Sequence, residues 1–113
     1  MTVQEKAGEN LEGKIAVVTG GARGIGQAIA GALAEAGAQV AIVDVDEGQA
    51  ASAAQSLGGD GHRGFQGDVT HGEAVQAVFR RIEEEMGRLD ILVNNAGITR
   101  DNLLVRMTEE EWD

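Results

Sequence analysis

Residues 15–26 read Ile15-Ala16-Val17-Val18-Thr19-Gly20-Gly21-Ala22-Arg23-Gly24-Ile25-Gly26, and this stretch decides the fold. An unbroken, β-branched apolar run closing on a threonine is the pattern of a strand buried on both faces. The glycines that follow demand a sharp reversal, and a helix opens directly behind them. That helix is predicted to run to about Ala36, with Ile25, Ile29, Leu33 and Ala36 on one face. Gly37 stands where a helix-terminating glycine belongs.

Working outward, the same unit recurs. Val40–Val43 read as a second strand and Glu47–Leu57 as a second helix, opened by the pair Asp46 and Gln49 in the spacing of a capping box and closed by Gly58-Gly59. A weaker third strand covers about His62–Gln66. Thr70 and Glu73 make another capping pair, and Val75, Val78, Phe79, Ile82 and Met86 lie at helical spacing up to Gly87. Leu89–Val93 form a fourth strand, and Thr108 with Glu111 opens a further helix. Strands alternating with helices imply a parallel sheet with right-handed crossovers. The expected fold class is therefore α/β, a Rossmann-like, doubly wound parallel sheet in the order 3-2-1-4, truncated after the fourth strand; a flavodoxin-like order is the competitor. Residues 1–12 read as a flexible polar leader and 13–113 as the N-terminal part of a dinucleotide-binding domain.

Composition narrows the function. The chain has 113 residues, enough for one domain, and a formal net charge of −10. That charge speaks against sequence-independent nucleic-acid binding, which needs a cationic surface, and against docking on anionic membranes. Cysteine is absent, which excludes disulfides and thiolate metal sites and fits a cytoplasmic location. No apolar run approaches the length of a membrane span, and the first thirteen residues lack a signal-peptide core.

The glycine turn carries the chemistry. Gly20, Gly24 and Gly26 let the backbone reverse and leave the helix N-terminus open to a pyrophosphate, drawn by free N–H groups and the helix dipole. A glycine-rich turn can also merely permit a reversal. Its place between the first buried strand and the first helix is the context that a dinucleotide site requires. Asp44 ends the second strand, 18 residues beyond Gly26, where a carboxylate accepts hydrogen bonds from the adenosine ribose. It would repel a 2′-phosphate, so NAD(H) is favoured over NADP(H). Arg23 pulls the other way, since a guanidinium can pair with that phosphate. The plainer readings are a strand-end cap for Asp44 and a solvated charge for Arg23.

Together with Asp68-Val69 after the third strand and Asn94-Asn95-Ala96-Gly97 after the fourth, the Thr19-Gly20-x-x-x-Gly24-x-Gly26 pattern resembles the short-chain dehydrogenase/reductase family. The resemblance implies that Gly20, Arg23, Gly24, Ile25 and Gly26 cradle the pyrophosphate and that Asp44 holds the adenosine ribose. It implies that Asp68 accepts from the adenine amino group with Val69 near the ring. It places Asn94, Ala96 and Gly97 along the nicotinamide-side ribose, where they also steady the sheet. Gly97–Leu104, Arg106-Met107 and Trp112-Asp113 resemble 3-oxoacyl-[acyl-carrier-protein] reductases, which reduce a β-keto thioester in fatty-acid synthesis. Acetoacetyl-CoA reductases and sugar or polyol dehydrogenases look similar there. A homo-oligomer and an acyl-thioester substrate are expected of a full-length member.

The family's catalytic Ser, Tyr and Lys have no counterpart: the sequence has no tyrosine, and Lys6, Lys14, Ser52 and Ser56 are misplaced. No catalytic and no metal-binding residue is therefore expected, and the chain alone is expected to be inactive. His62 and His71 are read as structural, and Glu83–Glu85 and Glu109–Glu111 as solvated helix faces. The fourth strand is expected to present an open far edge that invites self-association. The main reading is the N-terminal, cofactor-binding part of an oxidoreductase; the alternative is a complete, non-catalytic nucleotide-binding module, against which a single-turn helix at Thr108 argues.

Overall fold

The computed structural model describes residues 10–22, 24–68 and 72–95, and the backbone of 104–107. The elements are β1 (Ile15–Thr19), α1 (Gly24–Glu35), β2 (Gln39–Asp44), α2 (Glu47–Ser56), β3 (Arg63–Gln66), α3 (Gly72–Met86), β4 (Ile91–Asn94) and β5 (Leu104–Met107). The sheet order is β3-β2-β1-β4-β5. Its first four strands are parallel, in the 3-2-1-4 order of a Rossmann-like fold.

Strand periodicity divides the core into two layers. Ala16, Val18, Val40, Ile42, Ile91 and Val93 face one way, against Ala30 and Leu33 of α1 and Ala50, Ala53 and Ala54 of α2. Val17, Ala41, Val43 and Phe65 face the other, against Val78 and Ile82 of α3. Phe65 and Ile82 are fully buried; each such side chain stabilises the fold by about 1.5–3 kcal/mol relative to exposure. The backbone of α2 lies so close to β3 that a Cβ on Gly64 would sit 2.5 Å from the carbonyl oxygen of Ala50.

Local chemistry sets the ends of the elements. At the end of α1, Gly37 adopts φ +106°. Its N–H donates to Ala34 O at 3.0 Å while Ala38 N donates to Leu33 O at 3.1 Å, the paired bonds of a Schellman cap. The Asp46 side chain caps α2 by accepting from Gln49 N at 3.1 Å. Leu11, inside the stretch expected to be a leader, is buried and donates its N–H to Ala36 O at 2.8 Å.

Two expectations are corrected. Ile25 does not join the core face of α1: it is 67% exposed, and Gly26, Ala30 and Leu33 are the buried positions. In that first turn it is Gly26 that lies against the end of β1, at Gly20, while Ile25, one position earlier, is turned to solvent. The far edge of β4 is not open either. β5 pairs with it antiparallel, Ile91 opposite Met107 and Asn94 opposite Leu104. An edge strand leaves a row of unpaired N–H and C=O groups, and a returning segment of the same chain satisfies them. The helix expected from Thr108 lies outside the described residues.

Candidate functional site

The parallel register brings the carboxyl ends of the strands into one row. Thr19 lies opposite Val43 on one side and Asn94 on the other, and Asp44 lies opposite Gln66. Everything that follows these positions therefore gathers along one edge of the sheet. The strand order reverses direction between β1 and β4, where an open α/β sheet forms its ligand crevice.

At that crevice the two loops are tied together. Asn95 donates its backbone N–H to Thr19 Oγ1 at 2.9 Å and its side-chain amide to Gly20 O at 3.2 Å. The Thr19 hydroxyl in turn donates to Asn94 Oδ1 at 3.1 Å. On the other flank, Gly20 N donates to Val43 O at 2.7 Å. The turn is thus held from both neighbouring strands.

Gly20 and Gly24 adopt φ +65° and +63°, a conformation that side chains disfavour. Gly26 has a different need: a Cβ there would collide with the Gly20 carbonyl oxygen and lie 2.7 Å from Asn95 Nδ2. The helix thereby starts against the strand end. α1 carries no acidic residue in its first turn, whereas the first turns of α2 and α3 hold Glu47 and Glu73. An anion at the start of α1 meets the helix dipole with no carboxylate of that turn against it. These features fit the pyrophosphate of a dinucleotide.

Asp44 stands one strand away, 7% exposed, with Oδ1 accepting from Asp46 N at 3.3 Å. The carbonyl of Asp44 accepts from Gly67 N at 3.0 Å, which sets half-buried Asp68 beside the same edge. Of the residues singled out in the sequence, Gly20, Gly24, Ile25, Gly26, Asp44, Asp68 and Asn94 lie along this edge. Arg23, Val69, Ala96 and Gly97 lie outside the described residues. The sequence reading gave Thr19 and Asn95 no role of their own. The signal was present in a polar residue closing an apolar strand and in the second member of an Asn pair, but the contact between them spans two distant loops.

His62 stands apart from this edge. Its Nδ1 accepts from Val40 N at 3.0 Å and its Nε2 faces Gly58 O at 2.8 Å, so it ties β2 to the loop after α2. His71 lies outside the described residues. Among the described residues, no group of three or more His, Cys, Asp or Glu is placed to hold a metal ion, and no helix is long and apolar enough to cross a membrane.

The family model for short chain dehydrogenase matches residues 14–113. The chain belongs to the short-chain dehydrogenase family. The family's members are oxidoreductases that bind a nicotinamide dinucleotide. Among curated relatives, the 3-oxoacyl-[acyl-carrier-protein] reductase FabG of Vibrio harveyi is 54% identical over 104 residues, covering 92% of this chain and 42% of that protein. The FabG of Escherichia coli is 51% identical over the same length, with the same coverage. The D-threitol dehydrogenase of Mycolicibacterium smegmatis is 47% identical over 105 residues, 91% of this chain and 40% of the other. A solved Pseudomonas aeruginosa RhlG/NADP active-site complex superposes with a TM-score of 0.72 at 43% identity, over 80% of this chain and 37% of that one. This short-chain dehydrogenase chain thus spans about 42% of the length of the reductases it matches.

Proposed function

We propose that this chain is the cofactor-binding portion of an NAD(H)-dependent 3-oxoacyl-[acyl-carrier-protein] reductase-like enzyme. The observation that carries the reading is the row at the carboxyl edge: the glycine turn, braced by Asn95, beside Asp44 at the end of β2. The identity of 54% to a reductase of that kind supports the substrate class, a β-keto thioester.

When bound, the dinucleotide supplies the hydride that reduces a carbonyl. The chain's own residues bind and orient. The start of α1 holds the pyrophosphate, and Asp44 accepts from the adenosine ribose through its carboxylate. By the family resemblance Asp68 and Val69 would receive the adenine, and Asn94, Ala96 and Gly97 would serve the nicotinamide-side ribose; of these, Asp68 and Asn94 lie within the described residues. The 113 residues hold no tyrosine to protonate a carbonyl oxygen, so this chain by itself binds the cofactor without turnover. The 47% identity to a D-threitol dehydrogenase supports a second substrate class, a polyol, on the same cofactor site.

Calorimetric titration of the chain with NADH tests the cofactor reading. Saturable binding that Asp44→Ala weakens supports it; absence of binding overturns it. Incubation with NADH and an acetoacetyl thioester should leave the absorbance at the nicotinamide band unchanged, and steady oxidation would overturn the assignment of an inactive cofactor-binding portion.

A further inference from the structure

The loop between α2 and β3 reads Gly58-Gly59-Asp60-Gly61-His62 and lies at the amino ends of the strands, away from the glycine turn. An aspartyl side chain can be attacked by the backbone nitrogen of the next residue, which closes a five-membered ring. The attack is favoured by an exposed carboxyl, a following residue without a side chain, and a backbone free to turn. Asp60 and Gly61 meet each condition. Both are exposed. Gly59 and Gly61 adopt φ +91° and +87°, in the region that glycine enters most readily. Among the described residues, no hydrogen bond holds the Gly61 N–H or the Asp60 carboxylate.

The other aspartates within the described residues lack these features. Asp44, Asp68 and Asp90 precede Val45, Val69 and Ile91, whose branched Cβ crowds the attacking nitrogen, and Asp46 is fixed as the cap of α2. Asp60 is the one aspartate of the chain followed by glycine, and no asparagine is.

We propose that Asp60-Gly61 is a site of spontaneous isoaspartate formation, and that the conversion loosens the tie that His62 makes between β2 and this loop. Gly61 N bonds to Asp60 Cγ; the carboxyl C–O bond breaks, and the hydroxyl leaves as water with the proton of the Gly61 N–H. Water then opens the ring. Cleavage between the Asp60 main-chain carbonyl carbon and Gly61 N leaves the chain running through Cβ and Cγ, with a free α-carboxylate; cleavage at Cγ restores aspartate. The isoaspartyl backbone is one carbon longer. His62, two residues on, depends on its place: Nδ1 accepts from Val40 N at 3.0 Å and Nε2 stands 2.8 Å from Gly58 O. Gly58 and His62 flank the lengthened segment, so the insertion pulls the ring off one partner or both.

The test incubates the folded chain in mildly acidic buffer, since the protonated carboxyl is the reactive form, and follows a tryptic digest by mass spectrometry. The peptide Gly24–Arg63 holds Asp44, Asp46 and Asp60 together, so one digest compares them. Expected are a form lighter by one water, then a form of unchanged mass and altered retention, with electron-transfer fragmentation placing the isoaspartate at position 60. The converted chain should melt about 4 °C lower, the shift that losing one hydrogen bond gives in a domain of this size. Its Val40 amide should exchange faster with solvent. Asp60→Glu keeps the charge but needs a larger ring, so it should neither convert nor lose stability on incubation. Asp60→Asn should convert faster, by loss of ammonia in place of water. A wild-type peptide that stays unchanged overturns the proposal. Equal conversion at Asp44 or Asp46 overturns the selectivity of the loop, and conversion at Asp60 with no change in Tm or in Val40 exchange overturns the part given to His62.

Discussion

The side-chain amide of Asn95 donates to the carbonyl of Gly20 at 3.2 Å, bridging the loops that follow β4 and β1. These residues are 75 positions apart, and the bond closes the crevice side of the glycine turn. Asn95→Ala removes it and should cost about 0.5–1.5 kcal/mol, read by urea unfolding. Dinucleotide affinity should fall as well, because the turn loses a brace. Asn95→Asp should cost more than alanine, since a carboxylate oxygen would face the Gly20 carbonyl.

Gly26 and Gly31 lie on the same helix but answer opposite demands. A Cβ on Gly26 would strike the Gly20 carbonyl, whereas a Cβ on Gly31 meets nothing within 4 Å. Gly26→Ala should destabilise by about 1–3 kcal/mol and abolish NADH binding. Gly31→Ala should stabilise by about 0.5–1 kcal/mol through helix propensity and leave binding intact. Thermal unfolding and titration of the two variants separate these effects; equal behaviour would remove the argument from close approach.

The opposite edge of the sheet depends on Asp90. Its Oδ2 accepts from Ile15 N at 2.9 Å, and its Oδ1 accepts from Arg88 Nη2 at 2.6 Å. The carboxylate is nearly buried, so Asp90→Ala leaves the Ile15 N–H without its acceptor, at a cost of about 1–3 kcal/mol. Asp90→Asn should recover part of this by keeping a carbonyl oxygen. Neither substitution should change NADH affinity once the protein is folded, because the site lies at the other end of the strands.

The tautomer of His62 follows from its partners. A backbone N–H only donates, so Nδ1, 3.0 Å from Val40 N, must accept. Nε2 then carries the proton and donates to Gly58 O at 2.8 Å. Nitrogen-15 NMR of the imidazole at neutral pH should show the Nε2–H form. His62→Ala should cost about 1 kcal/mol without affecting the cofactor site.

The sequence by itself determined the alternation of elements and the glycine turn and favoured the 3-2-1-4 order over a flavodoxin-like one, between which the strand pairing decided. Apolar period and helix-ending glycines such as Gly37 act over a few residues, and the right-handed crossover then leaves few topologies. Only the tertiary structure decided that Thr19 and Asn95 brace the turn, that Ile25 stands in solvent, that the Asp46 backbone occupies Asp44, and that β5 closes the edge of β4. Each of these is a meeting of groups whose distance depends on register and on where the sheet ends. Local pattern carries no information about a hydrogen bond between loops 75 residues apart, because only the assembled strands set that distance.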